Sequence, residues 1–172
     1  MDRDRLVYGL AALLLLASVA YLSLASGFLA PYLAGYDPAS PGDYDHVTVT
    51  AVDDETGEEL GQVNAAVADS FSKRYVGLSE TDRLPEDRGM LFVHDDIGER
   101  TYVMRNMSFG LDIVFVDADG TITAIHEAPE PAPDEDGAAR EYTGEGQYVL
   151  EVNRGWTGER GVEVGDRLVF EV

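Results

Sequence analysis

Cysteine is absent from this chain. That excludes disulfide staples, thiolate nucleophiles and thiolate metal sites, and it leaves the redox compartment open. Lysine is nearly absent as well. Lys73 is the single example, and the other basic residues are arginines. No basic patch exists to neutralise phosphates, so nucleic acid is excluded as a partner and anionic lipid headgroups are disfavoured. There is no Gly-x-Ser-x-Gly elbow for an activated serine. No glycine-rich loop leads into Lys-Ser or Lys-Thr to cradle a phosphate. No pair of histidines has metal-ligand spacing, so no metal site and no cofactor is expected.

What the chain does have is acid. Asp and Glu number 33 against 12 Lys and Arg, a formal net charge of −21 over 172 residues. Asp2 and Asp4 cancel Arg3 and Arg5, so the excess lies beyond the N-terminal region. The acids are interleaved with apolar alternation and do not form a tail. This describes a folded domain with a carboxylate-rich surface, as in halophilic proteins, where concentrated salt screens self-repulsion.

The second positive feature is the uncharged run from Leu6 to Ala30. As a helix it would reach roughly 36 Å, enough for a hydrocarbon core of about 30 Å. Signal-peptide apolar regions run only about 7–15 residues. A transmembrane helix over 6–30 is therefore expected, although the small residues Ala25-Ser26-Gly27 leave cleavage open. Arg3 and Arg5 precede the run, and Tyr36 to Glu59 contains no Lys or Arg. The positive-inside rule then puts residues 1–5 in the cytoplasm and the C-terminal domain outside, in a single-pass membrane protein. Residues 31–45 read as a linker and 46–172 as the acidic domain.

That domain reads as mainly β. Alternation predicts strands over His46–Val52, Leu60–Ala68, Gly89–His94, Arg100–Arg105, Leu111–Asp117, Thr121–Glu127, Gln147–Asn153 and Val164–Val172. Asp117-Ala118-Asp119-Gly120 is a hairpin turn. Ser70–Leu78 predicts a short helix capped by Asp69 or Ser70, with Phe71, Tyr75 and Leu78 on one face. Gly155–Arg160 predicts one further helical turn, and Ala128–Gly146 a long loop. About eight short strands with one or two short helices point to a β-sandwich or barrel.

Several blocks occur in a specific order: Leu84-Pro85-Glu86-Asp87-Arg88-Gly89-Met90-Leu91-Phe92-Val93, Met104-Arg105-Asn106-Met107, Leu111-Asp112-Ile113-Val114-Phe115-Val116-Asp117, Tyr148-Val149-Leu150-Glu151-Val152-Asn153-Arg154-Gly155-Trp156 and Gly161-Val162-Glu163-Val164-Gly165-Asp166. With them, residues from about Val63 to Val172 resemble the prokaryotic family called domain of unknown function 192. The resemblance implies a compact mainly-β domain, often behind a signal peptide or anchor, and implies no activity. Three departures stand out. Val103, with Tyr102 before it, replaces the aromatic usual ahead of the Met-Arg-Asn block. Gly110 replaces a proline. The paired cysteines that some members carry in the long loop are missing.

Candidate site residues come from polar positions on apolar strands. Asp112 shares a face with Val114 and Val116, and Glu151 shares one with Val149 and Asn153. A carboxylate so placed needs a partner. One reading brings Arg105, Asn106, Asp112, Glu151 and Asn153 together in a polar pocket walled by Tyr102 and Trp156. The simpler reading is a structural network in which Arg105 pairs with Asp112 or Glu151. His94 and His126 read as exposed strand ends. The function expected is a membrane-anchored, extracytoplasmic, non-catalytic module for a small ligand or an envelope protein. The alternative is a small acid–base hydrolase that uses Asp112 and Glu151 as a pair with Arg105.

Overall fold

The computed structural model describes residues 44–172. The expected cytoplasmic N-terminus (1–5), transmembrane helix (6–30) and all but the end of the linker lie outside the described residues. Among those described, no helix is long and apolar enough to cross a membrane.

Seven strands form one sheet: β1 (His46–Val52), β2 (Glu59–Ala68), β3 (Arg88–Val103), β4 (Leu111–Val116), β5 (Ile122–Ala128), β6 (Glu141–Asn153) and β7 (Arg167–Val169). Their order across the sheet is β5-β4-β6-β3-β2-β1-β7. Neighbours are antiparallel except β2 and β3, which run parallel through Asn64↔Arg88 to Ala68↔Phe92. A parallel pair needs a crossover. It is made by the loop that carries α1 (Phe71–Val76).

The sheet curls until its edge strands meet. Thr121 at the start of β5 bridges to Arg167, and Leu168 N donates to Gly120 O at 2.8 Å. Of the two architectures expected, the curled sheet matches the barrel and not the two-sheet sandwich. Inside lies a core that draws on every strand, with Val49, Val63, Leu91, Val114, Ile122, Leu150 and Leu168 among its members. Each such side chain, fully buried, contributes about 1.5–3 kcal/mol. The second helix, α2 (Trp156–Arg160), inserts Trp156 into this same core.

Strand boundaries depart from expectation in three places. Gly89–His94 and Arg100–Arg105 are one strand, β3, and its register with β6 shifts between Val93 and Gly98. The exposed segment Asp95-Asp96-Ile97 lies at that irregularity and masks the continuity. On the other side of the ladder, β6 begins at Glu141, inside the expected loop. Gly144 and Gly146 weaken the strand pattern there. Gly144 has to be small, because a Cβ on it would come within 2.5 Å of the Phe115 ring. Seven strands therefore replace the expected eight. The last is also much shorter than Val164–Val172, covering Arg167–Val169 alone.

Candidate functional site

Alternation gives the sheet a second buried face. Met90 and Phe92 of β3, Leu111, Ile113 and Phe115 of β4, and Val149 of β6 point away from the curled interior and are buried. Helix α1 covers part of this face. Ser70 caps it, its Oγ accepting from Lys73 N at 3.3 Å. Gly77 ends it with φ of 52°, where a Cβ would meet the Phe92 ring at 3.3 Å. That close approach leaves a cleft of about 460 Å³ between α1, the outer half of β3 and the segment after it.

The floor of the cleft is polar in an apolar setting. Glu151 is 5% exposed and sits between Met90 and Ile113 on the neighbouring strands. Desolvation raises its carboxyl pKa from the ordinary 4.5 to about 8, so it is protonated at neutral pH. No hydrogen bond or ion pair satisfies it among the described residues. Tyr102 lies edge-on to Phe92 with ring centroids 4.9 Å apart, and its hydroxyl is 3.1 Å from His94 Nε2. Burial, then the positive charge of Arg100 and Arg74, lowers the His94 pKa to about 4, and the ring is neutral. Burial, then proximity to Glu151, pushes the Tyr102 phenol up.

Three guanidiniums line the walls: Arg74, Arg100 and Arg105. Arg100 is matched by Asp96 at 2.9 Å. Arg74 donates to the carbonyls of Asp69 (2.9 Å) and Val93 (2.7 Å) and has no ion pair within the described residues. Arg105 donates to the carbonyl of Tyr75 and lies 4.3 Å over its ring, again without an acidic partner. Phe71 and Tyr75 stack at 6.2 Å along the rim and are 61% and 42% exposed, not turned to the core as their helical spacing suggested.

The residues expected to converge fall into two groups. Arg105, Tyr102 and Glu151 line this cleft. Asp112 does not. It is opposite Val152 in the β4–β6 ladder, whereas Glu151 is opposite Ile113. The two carboxyl groups therefore point to opposite faces of the sheet. The interior side chain of Asp112 accepts from Gly155 N (3.0 Å), Thr157 N (2.9 Å) and Thr157 Oγ1 (2.7 Å). It caps α2, whose own N-cap is Gly155 with φ of 90° and no side chain to offer. Among the described residues the expected Arg105–Asp112 ion pair does not form, and Asp112 and Glu151 do not face each other as the carboxylate pair of the hydrolase alternative would require.

Trp156 packs in the curled interior with Arg160 at 4.9 Å over its ring and does not line the cleft. Asn153 Nδ2 donates to the carbonyls of Leu84 (3.1 Å) and Pro85 (3.0 Å), tying down the loop before β3. Asn106 is exposed at a left-handed position, φ 55°, which asparagine tolerates better than most residues. Neither histidine is the exposed strand end expected. His94 lines the cleft, and His126 is half-buried beside Phe115 and Tyr142, with Nε2 donating to Thr143 O at 2.9 Å.

Arg74, Arg100, His94, Phe71 and Tyr75 belong to the cleft and were not among the candidate site residues read from sequence. The available signal was the excess of arginine over lysine, since arginine suits bidentate anion contacts and stacking.

A family model for DUF192, described as an uncharacterized ACR, matches residues 52–170. Among solved structures, a protein of Sinorhizobium meliloti 1021 described as a candidate transcription regulator is 28% identical. It superposes with a TM-score of 0.67 over 76% of this chain and 98% of its own. A protein of unknown function from Novosphingobium aromaticivorans DSM 12444 is 24% identical, with a TM-score of 0.62 over 81% and 96%, and shares the fold. No curated protein matches.

Proposed function

We propose, from the premise that the chain belongs to the DUF192 family, that it is a non-catalytic module binding a small anionic ligand in the cleft beside α1. Membership itself carries no activity. One observation supports the reading above all: local charge reversal. The whole chain carries −21, yet its cleft is lined by three arginines and a single acid, Glu151, which is protonated at neutral pH. Two of the arginines form no salt bridge among the described residues, although the charge of Arg74 also acts on the nearby Asp69 carboxyl. Guanidiniums bind carboxylate or phosphate through charge-assisted, often bidentate hydrogen bonds. The stacked rings of Phe71 and Tyr75 supply an apolar lip for the body of the ligand.

The tether completes the proposal. The uncharged run Leu6–Ala30, with Arg3 and Arg5 ahead of it, would hold the module at the outer face of the cell membrane. An envelope protein would then be a natural neighbour. The Sinorhizobium meliloti protein is described as a candidate transcription regulator, but direct binding of this chain to DNA finds no support in its charge. Phosphates would meet a surface dominated by carboxylates, and the free guanidiniums sit inside a cleft.

The test is a thermal-shift series on the full-length chain in detergent, with inorganic phosphate, pentanoate and pentylamine. A ligand present at 100 times its Kd stabilises by about 2.7 kcal/mol. The anions are expected to raise Tm, less so at high salt, and the amine to leave it unchanged. Equal effects of amine and anion, or no effect of either anion at millimolar concentrations, would overturn the reading.

A further inference from the structure

Resting on the anion-binding reading, we infer that the ligand is a small dicarboxylate, with one carboxylate held by Arg74 and Arg105 and the other by the carboxyl of Glu151. The argument begins with what Glu151 lacks. It is more than nine-tenths buried, lines the cleft, and has no hydrogen-bond partner among the described residues. Its cross-strand neighbours, Met90 and Ile113, are apolar and offer none. The other titratable or charged groups that line the cleft are Arg74, Tyr75, Arg100, Arg105, His94 and Tyr102. His94 and Tyr102 are bonded to each other, and Arg100 is matched by Asp96. A buried polar group left unsatisfied costs about 1–3 kcal/mol. Its carboxyl is reached from the open cleft, so a ligand that displaces solvent there has to supply Glu151 with a hydrogen-bond partner of its own.

Three kinds of ligand group would satisfy a carboxyl. An ammonium would have to enter past three guanidiniums and strip Glu151 of its proton. A neutral oxygen would accept the hydrogen bond but leave one guanidinium uncompensated. A carboxylate accepts the Glu151 O–H in a short, charge-assisted bond and brings the second negative charge. The ligand's two negative charges then offset those of Arg74 and Arg105, the two cleft arginines without a salt bridge among the described residues. A molecule of four to six carbons is small enough for a cleft of about 460 Å³.

The experiment is calorimetric titration of the full-length chain in detergent with succinate, glutarate and adipate, against pentanoate and L-glutamate, from pH about 6 to about 9.5. At least one dicarboxylate is expected to bind about tenfold or more tightly than pentanoate, one added charge-assisted hydrogen bond being enough for that, and more tightly than L-glutamate, whose additional ammonium is repelled by the guanidiniums. Its affinity is expected to fall about tenfold per pH unit once Glu151 ionises, because two carboxylates then repel. Glu151→Gln, neutral at every pH, removes that fall. Pentanoate binding as tightly as all three diacids would overturn the inference and leave the anion reading standing, as would tighter binding of L-glutamate. A pH-independent wild-type affinity would also overturn it. Failure of every anion to bind would overturn both.

Discussion

Asp112 and Glu151 are buried carboxyl groups on adjacent strands, and they live in opposite worlds. Asp112 faces the curled interior and meets three donors from the start of α2. Glu151 faces the outer side, meets no partner among the described residues, and keeps its proton at neutral pH. Burial alone therefore does not mark a functional acid. Satisfaction does: a carboxylate with every lone pair engaged holds a fold together, whereas an unpartnered one on the floor of a cleft is poised for something that arrives.

The comparison is broken most forcefully at Asp112. Asp112→Ala removes three hydrogen bonds and leaves two buried donors at Thr157 and a half-buried one at Gly155 unsatisfied, so urea unfolding should show a loss of about 2–4 kcal/mol. A loss under about 0.5 kcal/mol, the range of surface substitutions, would contradict the structural role. The companion change at Glu151 should act through pH. Its raised pKa means that the folded state holds a proton that the unfolded state releases, so stability declines as pH rises from about 4.5 to about 8. His94 works the other way. Its lowered pKa makes the unfolded state bind the extra proton, and stability rises from about 4 to 6.5. The two effects oppose each other below pH 6.5. Between 6.5 and about 8 only the glutamate acts, and the wild type should lose on the order of 1–2 kcal/mol. Glu151→Gln should flatten this window in unfolding experiments run across it. A wild-type profile already flat there would place a partner on Glu151.

Smaller effects sharpen the same contrast. Arg105→Ala removes a guanidinium without an acidic partner among the described residues, so Kd for a bound carboxylate should rise about tenfold. Stability should move by no more than about 1 kcal/mol, since one backbone hydrogen bond and one ring contact are lost. Unchanged affinity would remove Arg105 from the site. Asn153→Ala should cost about 1 kcal/mol through its two bonds to the loop before β3 and leave ligand affinity unaltered. A change in affinity there would mean that the loop shapes the cleft.

Much of the fold was legible because alternation is local. The β4–β5 hairpin, β1, β2 and both helices fall where apolar spacing and turn residues put them. The failures were equally physical. Polar exposed residues at the β3 irregularity split one strand into two, and two glycines, Gly144 required by the Phe115 ring and Gly146 by the Val116 backbone, disguised the start of β6 as loop. At the site, alternation correctly marked Asp112 and Glu151 as polar residues on apolar strands. It could not say which face of the assembled sheet each would occupy, because that depends on the register between β4 and β6.

By itself the sequence determined the acidic surface, the absence of thiol and phosphate-loop chemistry, the mainly-β character and the family. These follow from composition and from patterns that repeat within a few residues. Only the tertiary structure decided that the two carboxyl groups part company, that Trp156 fills the interior, and that Arg74, Arg100 and Arg105 line one cleft. Those outcomes rest on strand order and register, which bring together residues far apart in the chain. A one-residue shift of register moves a strand's side chains to the other face of the sheet.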